Sequence, residues 1–75
     1  MLKTYLIDGQ QVTVTWRSPH HPTVYTIHVA GVPLAGSVEE TILGNFLARD
    51  GYHRLLGTYT TLPRAVEQVV REERR

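Results

Sequence analysis

The sequence predicts an α+β fold: an antiparallel β meander of about six short strands in three hairpins, with one C-terminal amphipathic helix packed on the sheet. Three observations predict it. Gly, Pro and Asn/Asp punctuate the chain every six to twelve residues, a spacing that suits short strands. Asp8-Gly9 stands between two alternating apolar runs, a strong short-range hairpin signal. After Thr61 the apolar period changes from two to that of a helix. The 75 residues cannot hold two cores, so 1–75 reads as one domain.

In the first hairpin a two-residue turn at Asp8-Gly9 pairs Ile7 with Gln10, Tyr5 with Val12 and Lys3 with Val14. Tyr5, Ile7, Val12, Val14 and Trp16 then share an apolar face. Thr4, Leu6, Gln11, Thr13, Thr15 and Arg17 share a polar one. Ser18-Pro19-His20-His21-Pro22 follows. Its two prolines restrict themselves and the residues before them, which makes an extended loop.

The second hairpin is expected over 24–41 with Ala30-Gly31 as its turn. Val29 then faces Val32, Ile27 faces Leu34 and Tyr25 faces Gly36. Tyr25, Ile27, Val29, Val32, Leu34 and Val38 form its apolar face. Pro33 has no N–H for a ladder, so the returning strand is expected at an edge or with a bulge. Thr41-Ile42-Leu43-Gly44 reads as either a helical turn or an apolar loop. The third hairpin joins 45–50 to 54–60 around Gly51. It puts Phe46, Ala48, Leu55, Gly57 and Tyr59 on one face, and Leu47 and Leu56 on the other.

The helix is read from Leu62, Ala65, Val66, Val69 and Val70, spaced i, i+3, i+4, i+7, i+8. Thr61 is its N-cap, and Pro63 falls in the first turn, where a missing N–H costs nothing. Glu67 and Arg71 form an i, i+4 pair on the outer face. The 71–75 tail is expected to fray, with arginines that suit the negative end of the helix dipole.

Leu56-Gly57-Thr58-Tyr59-Thr60-Thr61-Leu62-Pro63-Arg64-Ala65 resembles a phrase of AP2-type domains and of the arm-binding domains of phage integrases. There a strand ends in Leu-Gly-Thr-aromatic, a Thr caps, and a helix begins with an early Ala. The resemblance covers 36–70, where the order is three strands and a helix. It implies a Gly that lets the helix approach the strand, and a sheet that reads the DNA major groove with Arg and aromatic residues. In this chain Glu39 and Glu40 occupy the first of the three strands, and only Arg49 and Arg54 the second and third.

Composition excludes several chemistries. There is no Cys, hence no disulfide, thiolate zinc site or thiol nucleophile. No apolar run approaches the ~20 residues that span a bilayer, and the N-terminal residues lack a signal-peptide stretch. His20-His21 are adjacent, diverge and have no third ligand at metal spacing; His28 and His53 read as surface residues. Ser18 and Ser37 lack a nucleophile elbow, and Glu39 and Glu40 point to opposite faces of a strand. No enzyme, cofactor, metal or small-molecule substrate is expected, and no membrane partner; the location expected is cytoplasmic.

Eight Lys+Arg against seven Asp+Glu leave a net charge of +1, a weak field for nucleic acid. The functional expectation is a small protein-interaction module, accessory or regulatory in the manner of phage or plasmid proteins. It would bind another protein or itself as a homodimer. Its expected protein-binding residues are Leu47, Arg49, Arg54 and Leu56, with Trp16 as a second anchor. The alternative is a nucleic-acid-binding domain that uses Arg49, Tyr52, His53 and Arg54 around the third turn, where bases could stack and phosphates pair. Size favours a partner: below roughly 70–80 residues one core seldom supplies more than about 3–5 kcal/mol.

Overall fold

The computed structural model of the chain describes residues 1–17, 22–30 and 32–73, with only the backbone of Val32 and Pro33. The expected reading of 18–21, and most of the Pro-His-His-Pro loop with it, lies outside the described residues. Six strands and one helix follow in order: β1 (Leu2–Ile7), β2 (Gln10–Thr15), β3 (Thr23–Val29), β4 (Val32–Glu40), β5 (Phe46–Asp50), β6 (Leu55–Tyr59) and α1 (Leu62–Glu73). The strands form one antiparallel sheet in chain order, β1-β2-β3-β4-β5-β6, and α1 packs on one face against β3 to β6. This is the expected α+β meander with its C-terminal helix.

The first hairpin takes the register its turn dictates: Ile7 pairs with Gln10, Tyr5 with Val12 and Lys3 with Val14. Asp8 and Gly9 both have positive φ, 51° and 77°, as a two-residue hairpin turn needs. Ile7, Val12 and Val14 are buried while Thr4, Leu6 and Gln11 face solvent.

The second hairpin keeps Val29 opposite Val32, then departs from the expected register. Ile27 pairs with Gly36 rather than Leu34, and Tyr25 with Val38 rather than Gly36. Two extra residues of β4 bulge out beside Pro33, which has no N–H to offer the ladder. The bulge turns Leu34 outward and sends Ala35 into the core. So Leu34 leaves the apolar face. The strand with Pro33 is interior, between β3 and β5, not an edge.

Gly36 marks a close approach of sheet and helix. A Cβ built there would lie 2.3 Å from the Arg49 carbonyl oxygen and 2.7 Å from Val69 Cγ1. The resemblance placed this role on Gly57, but a Cβ at Gly57 would meet the Tyr59 ring, its hydroxyl at 2.8 Å. The ring of Tyr59, not the helix, occupies that space.

The third hairpin has its own bulge, between the pairs Ala48–Gly57 and Arg49–Leu55. One extra residue reverses the faces of the two leucines: Leu56 packs against the core and Leu55 is exposed. The expected assignment was the opposite. Phe46, Ala48, Gly57 and Tyr59 keep their inward side.

The helix buries Ala65, Val66, Val69 and Val70, with Leu62 partly covered. Thr61 caps it: its Oγ1 accepts from Arg64 N–H at 3.4 Å. Arg71 is helical and bonds Glu67 at 3.0 Å, so fraying does not begin at 71. Its Nε also lies 3.7 Å from Asp8 in the first hairpin turn, which ties the end of α1 to that end of the sheet. Beyond the helix's reach the core is completed by rings: Tyr5, Trp16 and Tyr25 pack against it over β1 to β3.

Candidate protein-interaction surface

A strand shows alternate side chains to opposite faces, so one buried face leaves a second. Among the described residues no element lies over the face opposite α1. Cross-strand pairing arranges that face in rows. Leu2, Thr15, Thr26, Ser37, Arg49 and Leu55 form one row across all six strands. Val24, Glu39, Leu47 and Thr58 form a second beside it, and Thr4, Thr13 and His28 a third. Hydroxyl side chains are the commonest on it, with Leu2 and Leu55 at its two edge strands. Arg49 and Glu39 pair across it at 3.5 Å, at half-exposed positions where screening leaves little net energy.

The expected binding residues do not all meet here. Leu47 and Arg49 lie side by side on the open face, half-buried, with Leu55 next to Arg49. Leu56 is on the helix side. Trp16 is also core-side, half-buried, its ring centroid 5.2 Å from that of Tyr25. Arg54 sits in the β5–β6 loop, its Nε 2.8 Å from Asp50 Oδ2.

Two loops of the same design close the β4–β5 and β5–β6 hairpins at opposite ends of the sheet. In the first, Gly44 N–H donates to the Thr41 carbonyl at 3.0 Å and Thr41 N–H to the Asn45 carbonyl at 2.8 Å. Thr41 Oγ1 also accepts from Leu43 N–H and Asn45 N–H, each at 3.3 Å. In the second, Asp50 takes the place of Thr41. Its Oδ1 accepts from Tyr52 N–H at 2.8 Å and Arg54 N–H at 2.9 Å. Residue four of each loop is left-handed: Gly44 at φ 85° without cost, His53 at φ 66° with strain. These backbone donors, Arg54 first, hold the Asp50 carboxyl below its ordinary value against the opposing effect of burial.

The loop tips are apolar and solvated. Ile42 is fully exposed and Leu43 84% exposed; Tyr52 is 83% exposed, with the Arg54 guanidinium 5.6 Å from its ring centre. Ile42 and Leu43 are not among the residues the sequence nominates. The signal for them is Thr41 three residues before Gly44, the same spacing as Asp50 and His53. The 41–44 segment is therefore an apolar loop, not a helical turn.

At the end of the sheet that carries Ile42 and Leu43, Tyr25 donates its hydroxyl to Glu40 Oε1 at 3.2 Å. Burial, and then the Glu40 charge, push the Tyr25 phenol above its ordinary value.

No family model, curated protein or solved structure matches this chain. The likeness of 36–70 to AP2-type domains thus stays with the order β4, β5, β6, α1. Among the described residues no three His, Cys, Asp or Glu side chains gather as a metal site, and no helix is long and apolar enough to cross a membrane.

Proposed function

We propose that this chain is a small non-enzymatic interaction module that docks its open sheet face on another protein or on a second copy of itself. The observation that carries the reading is the face opposite α1. It spans six strands, and Leu2, Leu6, Val24, Leu47 and Leu55 stand exposed or half-exposed among its threonines. Single exposed leucines are ordinary. Here they share one face that no described element covers, where a partner could bury them together. The small core adds a reason, since a partner would bury surface that 75 residues cannot bury alone.

The test uses immobilised full-length chain and extract of its native host, beside light scattering of the pure chain. Support is a stoichiometric protein partner, or a two-to-one mass, lost in a Leu47→Lys/Leu55→Lys variant that still melts cooperatively. A monomer that retains no protein, or retention indifferent to the two lysines, would overturn it.

One observation favours the nucleic-acid alternative: Arg54 lies over the exposed ring of Tyr52, a pairing that could stack a base and meet a phosphate. Against it, Arg49 and Arg54 each face a carboxylate, Glu39 and Asp50. A salt titration with duplex and single-stranded DNA decides. Binding that weakens steeply with salt and is lost in Arg54→Gln supports it; no binding at low salt removes it.

A further inference from the structure

Ile42 and Leu43 bring folding nothing through burial, because both are solvated at the tip of the β4–β5 hairpin. Nor does the loop's geometry require them, since the matching loop carries Gly51 and Tyr52 at the same two positions. Thr41 and Gly44 hold the loop, so a partner would meet two apolar side chains already in place and lose little entropy in fixing them.

A surface suited to receive them lies at the same end of the sheet. It is a shallow depression on the open face, where β1, β2 and β3 end. Leu2, Pro22 and Val24 give it apolar walls, and among the described residues Arg17 is the charged side chain in its lining. The hairpin tip carries the opposite sign. Glu39 precedes it on the open face, opposite Val24, and with Ile42 lines a second depression that also touches Pro22. Apolar tip matches apolar hollow, and acid matches base. The tip does not fill the hollow of its own chain, because Ile42 and Leu43 are open to solvent.

We propose that a second copy of this chain occupies the hollow, with each tip seated in the other's depression about a twofold axis. Both halves of the contact adjoin through Pro22 at one end of the molecule, as a self-complementary patch requires. This rests on the interaction-module reading and names its partner.

Sedimentation equilibrium of the full chain at low salt tests it. The expected result is reversible dimer formation below about 1 mM. Ile42→Ser/Leu43→Ser should weaken it roughly ten- to a hundredfold while the melting curve stays unchanged. Arg17→Glu or Glu39→Arg alone should weaken it roughly tenfold, and the double reversal should restore it. A monomer up to about 1 mM, or a dimer indifferent to both the serine pair and the charge reversals, overturns the inference. A chain that stays monomeric yet retains a host protein through Leu47 and Leu55 overturns it too, while the broader reading stands.

Discussion

Gly36→Ala should be the most damaging single-methyl change in the sheet. The new Cβ would meet the Arg49 carbonyl oxygen at 2.3 Å, its carbon at 3.3 Å and Val69 Cγ1 at 2.7 Å. Val69 can give a little, but the Arg49 carbonyl belongs to β5, the strand paired with β4. Relief therefore means parting β4 from β5 or lifting α1 from the sheet. Overpacking of this kind costs about 1–3 kcal/mol, and a backbone obstacle puts it at the upper end. Against that, removing a glycine restricts the unfolded chain and contributes roughly 0.4–1 kcal/mol of stability. The balance is a loss of about 2 kcal/mol, a large share of the ~3–5 kcal/mol such a core supplies. At roughly 4–8 °C per kcal/mol, the midpoint should fall about 8–16 °C. Urea and thermal melts followed by circular dichroism measure this. Adding Val69→Ala should rescue only part of the loss, because the carbonyl remains. A Gly36→Ala variant within about 0.5 kcal/mol of wild type would refute the close approach of helix and sheet.

The two matched loops and the helix cap yield further expectations. Replacing strained His53 by Gly relieves about 1–2 kcal/mol of strain against about 0.4–1 kcal/mol for the freer unfolded chain, so stability should rise by roughly 0.5 kcal/mol, read as a higher midpoint in urea. Asp50→Ala should lower the melting temperature and loosen the β5–β6 loop, seen as faster amide exchange at Tyr52 and Arg54. Because the folded Asp50 carboxyl titrates below its ordinary 3.8, its contribution is whole above that pH and is lost as pH falls through the lower, folded value. An acid titration of wild type against Asp50→Asn should show the difference in stability shrink below pH 3.8. Thr61→Ala should cost about 0.5–1 kcal/mol, the low end for a cap, in keeping with the long 3.4 Å bond to Arg64 N–H.

Elements with local rules could be read from sequence, and elements set by long-range fit could not. Asp8-Gly9 fixes its own register, since both residues tolerate positive φ, and the first hairpin follows residue for residue. The Leu62–Val70 stripe and the Thr61 cap likewise carry their structure within one stretch of chain. Alternation fails at a bulge because each extra residue moves the faces, and the hydrophobic pattern does not say where the extra residue goes. Leu34 turned outward beside Pro33, and Leu55 and Leu56 exchanged sides near Arg49. Pro33 did announce a disturbance in its strand, though not its size. At the surface, Leu47 and Arg49 fell on the open face as their parity dictates. Leu56 and Trp16 went to the core side, so the residues nominated from sequence are divided between the two faces. Ile42 and Leu43 read from sequence as loop or helical turn and not as binding residues, because an apolar pair usually means burial. Only the Thr41 hydroxyl and the left-handed Gly44 reveal a tip held out in water.

The most direct test of docking between two copies is amide shift mapping of the labelled full chain as its concentration rises from about 10 µM to about 1 mM. Twofold docking should give shifts confined to one end of the open face: Leu2, Thr15, Arg17, Val24, Ile42 and Leu43. Spectra that do not change with concentration, or changes centred on the solvent side of α1 around Glu67 and Arg71, would contradict it.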